Sequence, residues 1–213
     1  MKRIKKKRKI KKIFWILLAI IIALVTSVVV FIILKKDNNT ETPVNKPVEI
    51  VDKMENYDYH LDENATEYYK TLYNELKEVL NSEEINEEEY AKTVSKLFVA
   101  DLFTLDNKLT SSDIGGLQFV YTDFKEDFIN IAKTTLYSNV ESNIYDDRNQ
   151  ELPIVSDVQI DNIETSSFNY QNNKHDSYKV TVSITYQKDL GYPSKYKLTL
   201  IKNDKYLQVV ASE

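Results

Sequence analysis

Ile13–Leu34, IFWILLAIIIALVTSVVVFIIL, is a run of 22 residues without a charge, and no other stretch restricts the chain so tightly. As a helix rising about 1.5 Å per residue it covers about 33 Å, enough to cross a hydrocarbon core of about 30 Å. One transmembrane helix is expected. Nine of the first twelve residues are basic, and basic flanks stay cytoplasmic, so the N-terminus is expected inside and the rest of the chain outside the cytoplasm. Trp15 then sits at headgroup depth on the inner face, where indole is favoured. A cleaved signal peptide is the competing reading. Its apolar region spans about 7–15 residues and ends in small residues, whereas VVVFIIL continues here beyond Thr26-Ser27. The basic tail serves topology and attracts anionic lipid by about 1 kcal/mol per residue near the surface. Nucleic-acid binding by the tail is the sharper alternative.

Charge separates at the same boundary. Residues 1–36 hold 11 Lys/Arg and no acid, which leaves 17 Lys/Arg against 33 Asp/Glu beyond them, a net charge of −16. A field of that sign repels nucleic acid and anionic head groups, leaving cationic surfaces, metal ions or other proteins as partners of the exported part. The absence of cysteine excludes disulfides and thiolate sites. Residues 37–49, DNNTETPVNKPVE, read as a polar spacer held extended by Pro43 and Pro47. In 50–62, Tyr57, Tyr59 and Leu61 alternate like a strand while Ile50, Val51 and Met54 have helical spacing, so this segment is an arm of open structure. The expected division is a tail at 1–12, a membrane helix at 13–34, a linker and arm at 35–62, and a folded domain at 63–213.

Within that domain the helical period comes first. Tyr69, Leu72, Leu76 and Val79 share a face after a cap at Asn64. A second helix starts at Asn86, with Glu89 three residues on as in a capping box, and carries Tyr90, Val94, Leu97, Phe98, Leu102 and Leu105 on its apolar side. The acids Glu83, Glu84, Glu87, Glu88 and Glu89 suit a solvated helix start better than a metal site. Gly115-Gly116 marks a sharp turn. A third helix, about 122–138, places Phe124, Phe128, Ile131, Ala132 and Leu136 together.

From about residue 155 the period changes to two. Val158 and Ile160 mark one strand; Tyr178, Val180, Val182, Ile184 and Tyr186 alternate with polar residues in the next. Tyr196, Leu198 and Leu200 form a third, and Lys202-Asn203-Asp204-Lys205 turns into Tyr206–Ala211. Short connections favour an antiparallel meander with one polar, threonine-rich face. The fold class is therefore α+β: an N-terminal transmembrane helix, then three amphipathic helices packed on one face of a four-stranded antiparallel sheet.

This order of elements over residues 63–213 resembles the cone-shaped nuclear-transport-factor-2-like superfamily, also called cystatin-like. With its anchor, the chain is similar to the single-pass subunits that assemble type IV secretion and Gram-positive conjugation channels of bacteria. The resemblance implies a curved sheet wrapping helices around a pocket, in proteins of which some are enzymes and many bind or scaffold.

Chemistry is sparse in the residues. His60 and His175 form no ligand-like pair, and no nucleophile elbow or phosphate loop is present. Asp146, Asp147, Asn149 and Glu151 lack the glycine and distal glutamate of a calcium loop. No cofactor, metal or catalytic residue is expected. One residue breaks its pattern: at 100° per residue, Asp101 falls within the apolar side of the second helix, between Tyr90 and Leu105. A carboxylate there needs donors, from the 110–117 loop or a tyrosine, or else acts as a pocket acid. The leading expectation for function is a membrane-anchored interaction or assembly subunit bound to other envelope proteins. The alternatives are a ligand-binding or sensory domain with a cone pocket, and an enzyme using Asp101.

Overall fold

A computed structural model of the chain describes residues 48–213. The basic tail, the apolar run with Trp15 and most of the spacer lie outside the described residues, and no helix among the described residues is long and apolar enough to cross a membrane. What is described is α+β. Two short strands, β1 (Ile50–Lys53) and β2 (His60–Asp62), precede helices α1 (Glu67–Leu80), α2 (Glu87–Phe103) and α3 (Lys125–Thr134). Strands β3 (Val155–Tyr170), β4 (Asn173–Tyr186), β5 (Lys195–Asn203) and β6 (Tyr206–Ser212) then form an antiparallel sheet in that order.

The centre is α2. Asn86 begins it, its Oδ1 accepting the N–H groups of Glu88 and Glu89 at 3.1 Å each. Glu89 itself pairs with Lys92 (2.8 Å). Eleven of its 17 residues are buried, among them Ala91, Ser95 and Val99 as well as Tyr90, Val94, Leu97, Phe98 and Leu102, so this helix needs cover on more than one side; Leu105, expected on the same helix, is buried just past its end. It lies against β3, β4 and β6, and α1 packs along it. Thr66, not Asn64, caps α1 by accepting the Tyr69 N–H (3.2 Å). Asn64 stands two residues too early, and its amide exchanges hydrogen bonds with Asn107 (3.0 and 3.2 Å).

The folded unit starts before residue 63, because the arm supplies core. β1 and β2 pair antiparallel, and the alternation of Tyr57, Tyr59 and Leu61 puts all three inside. The Tyr59 hydroxyl bonds that of Tyr90 on α2 (2.7 Å), and the Tyr57 ring meets Tyr59, Tyr90 and Tyr206. This cluster ties the arm to the helix and to β6.

β3 and β4 run on past β5 into a hairpin whose turn residues, Gln171 and Asn172, have φ of 49° and 63°, the backbone of a tight two-residue hairpin turn. Phe168 and Tyr170 near its tip pack on Phe124 and Tyr121. Tyr121 in turn donates its N–H to Val209 O at the edge of β6 (2.9 Å). Helix α3 is shorter than the spacing suggested and lies beside that edge. Phe128 reaches Phe98 of α2 (5.6 Å), while Ala132 alone is fully buried among the α3 residues.

Phe98→Ala, which empties the space between α2 and α3, is expected to cost about 3–5 kcal/mol. Asn86→Ala is expected to cost about 1 kcal/mol through loss of the cap. Urea unfolding of the full chain, with exposed Glu84→Ala as a control within about 0.5 kcal/mol, measures both.

Candidate functional site

The residue that broke the helical pattern sits where α2 ends. Asp101 uses both carboxylate oxygens: Oδ1 accepts Lys108 Nζ (2.5 Å) and Oδ2 accepts the Gly116 N–H (2.6 Å). Lys108, which spacing along a helix does not connect to Asp101, arrives because the chain doubles back after Thr104. Its side chain is 7% exposed and that of Asp101 24%, and an ammonium so enclosed requires a counter-charge.

The Gly115-Gly116 turn is what lets the loop approach. A Cβ at Gly115 would stand 2.2 Å from the Asp101 carbonyl oxygen, and Gly116 has φ +79°, a conformation that glycine adopts at no steric cost. Gly115 N–H donates to the Tyr137 hydroxyl (2.9 Å), which donates to Leu102 O (2.8 Å). Burial first, and the Asp101 charge second, raise the Tyr137 pKa. Outside the loop, Arg148 donates to the carbonyls of Lys108 and Asp106. Tyr137 and Arg148 carried no signal in the sequence, since they meet the loop from 22 or more positions away.

Of these groups Asp101, Lys108 and Gly115 wall a polar cleft of about 410 Å³ between β2, the start of α1, the end of α2 and the loop, while Gly116, Tyr137 and Arg148 brace that wall from behind. Asp58, His60, Asp62, Asp101, Asn107, Asp113 and Lys125 line it. Gln118 pins one side, accepting from His60 N (3.0 Å) and donating to His60 O and the Tyr69 hydroxyl (3.3 and 2.8 Å). Burial holds the Asp62 carboxyl above the usual carboxylate range, with the neighbouring His60 opposing and the Asp101 charge adding to it. Burial, followed by the charges of Asp101 and Asp62, keeps the Tyr69 phenol neutral far above its ordinary value.

The remaining candidates separate. His175 lies on β4, away from His60. Glu87 bonds Lys202 and the Tyr178 hydroxyl, Glu88 pairs with Lys92, and Glu151 pairs with Lys188 (2.6 Å). Among the described residues no three acidic or histidine side chains gather as a metal requires. A second opening, an apolar groove of about 410 Å³, runs between α3 and β6, walled by Leu102, Val120, Phe128, Ile131, Tyr196 and Val209. Ile131 is 62% exposed on its rim. Among known proteins, no family model, curated protein or solved structure matches this chain.

Asp101→Ala is expected to cost about 2–4 kcal/mol because Lys108 is left charged and enclosed. Asp101→Asn should cost nearly as much, as it too removes the charge, and Lys108→Met should recover part of either loss. Gly115→Ala should cost about 2–4 kcal/mol through its clash with the α2 backbone. Chemical denaturation of the full chain reads all four variants, and an Asp101→Asn variant as stable as wild type would exclude the ion pair as a support.

Alkali gives a second test. Tyr59, Tyr69, Tyr90 and Tyr137 are held protonated in the fold, with Tyr90 pushed up to about 12 from 10.0. A folded pKa above the unfolded one contributes stability that is full below pH 10 and lost as pH rises through the folded value. Melting temperature should therefore fall above pH 10, and tyrosinate absorbance from these four should appear together with unfolding.

Proposed function

We propose that this chain is a single-pass membrane protein whose extracytoplasmic domain is an interaction or assembly subunit of the cell envelope. The apolar run, its basic flank and the acidic remainder support the topology. The order of helices followed by a four-stranded antiparallel sheet supports kinship with the cone superfamily and with assembly subunits of conjugation and type IV secretion channels. One observation carries the interaction reading: an apolar groove opens between α3 and β6, with Ile131 exposed on its rim. An apolar groove rimmed by an exposed isoleucine suits a protein partner. The occupant is an apolar segment of another envelope protein. Asp101 is engaged by Lys108 and Gly116, which favours a positioning part for it over proton transfer.

A photo-crosslinking residue at Thr135, on the groove wall, tests this in whole cells. An adduct with one envelope protein is expected, lost on Ile131→Glu while the melt stays within about 0.5 kcal/mol. The same adduct from Thr181 on the opposite sheet face, or one indifferent to Ile131→Glu, would overturn the groove's part. Protease added to intact protoplasts should remove the domain, and its protection would overturn the topology.

The polar cleft favours a second reading, a ligand-binding domain, because its volume lies within the range of about 300–1,000 Å³ usual for small-molecule sites.

A further inference from the structure

We infer that the polar cleft binds an organic cation, an alkylammonium or guanidinium group, through Asp62 and its neighbours. The inference rests on the ligand-binding reading and is independent of the apolar groove.

Three side-chain donors of the cleft are spent: Lys108 on Asp101, Gln118 on His60 and Tyr69, and the Asn107 amide on Asn64. Acceptors are left over. Among the described residues Asn107 Oδ1 is buried with no partner and one oxygen of Asp113 is engaged, by the Leu109 N–H (3.0 Å). Native proteins seldom leave a buried acceptor unmet.

Charge gives the same sign. Asp58 and Asp101 each have a lysine, Lys53 (3.1 Å) and Lys108. Among the described residues neither Asp62 nor Asp113 has a lysine or arginine in ion-pair contact; His60 Nε2 stands 3.8 Å from Asp62. Two carboxylates therefore face one further cation on the wall, Lys125. Asp62 is also partly desolvated, a cost that a cation would offset. The chemistry favours a polyatomic cation over a metal ion. The acceptors are spread around about 410 Å³ rather than converging, and an ammonium or guanidinium carries several N–H donors able to meet separated oxygens.

Binding is measured calorimetrically with the full chain in a mild non-ionic detergent at low ionic strength. The probes are agmatine, the blocked peptide acetyl-Ala-Arg-Ala-amide, and acetyl-Ala-Gln-Ala-amide as the neutral control. At least one cationic probe should bind and the neutral peptide should not. Agmatine alone binding would identify a free small cation, and the arginine peptide binding would identify a protein side chain. Asp62→Asn should weaken binding about fivefold and Lys125→Gln should tighten it by a similar factor, the order expected for one charge about 4 Å away in water-like surroundings. Asp147→Asn, on a separate loop, should change nothing. Equal binding of the neutral peptide, unchanged affinity in both cleft variants, or an Asp147→Asn effect as large as that of Asp62→Asn would overturn the inference. Because Lys125→Gln moves affinity in the opposite direction, loss of folding in Asp62→Asn cannot mimic success.

Discussion

A lysine ammonium almost closed off from solvent cannot stand without a counter-charge, and the clasp of Lys108 on Asp101 answers that requirement. Its consequences reach well beyond the pair. To bring Lys108 back to α2 the chain must reverse within a few residues. To bring the next turn onto the same carboxylate it must press a backbone against a backbone, which Gly115 permits. Once Gly116 N–H is on Asp101, Gly115 N–H is presented to Tyr137, and Tyr137 to Leu102. The cleft wall is thus backed by groups that hold one another, which makes it a preorganised surface.

The layers follow from a different constraint. A helix buried on nearly every side has to be covered from both directions, and α2 obtains this from the sheet on one side and from α1 with the arm on the other. Tyrosine suits the margins of such a core because it buries a ring while its hydroxyl still finds a partner. Tyr59 and Tyr90 do this together, and the Leu207 N–H donates to the Tyr90 hydroxyl (3.3 Å), so one pair of phenols joins the arm, α2 and β6.

The two openings differ in kind. The groove beside α3 is apolar and belongs to a helix held mainly through Phe128 and Ala132. The cleft is polar and is backed by the bonds among Asp101, Lys108, the glycine turn and Tyr137. The two surfaces share Leu102 only indirectly, through its carbonyl bond to Tyr137.

The amino-acid sequence by itself determined the elements with strong periods. The alternation of Tyr178 to Tyr186 makes β4, the Asn86 cap starts α2, and the glycine pair turns where the loop reverses. These depend on neighbours a few positions apart, so the local pattern contains the cause. Asp101 was visible as a misfit for the same reason, because an acid within an apolar stripe violates a local rule. Its partners were not visible. Whether Asn64 or Thr66 caps α1 turned on Asn107, 43 positions away. The arm of 50–62 was ambiguous because its partners are Tyr90 and Tyr206. The open side of α3 looks in sequence like any other core-facing side. Only the tertiary structure decided these points, since which groups meet across a long loop is set by the simultaneous packing of all the elements, and no spacing along the chain records it.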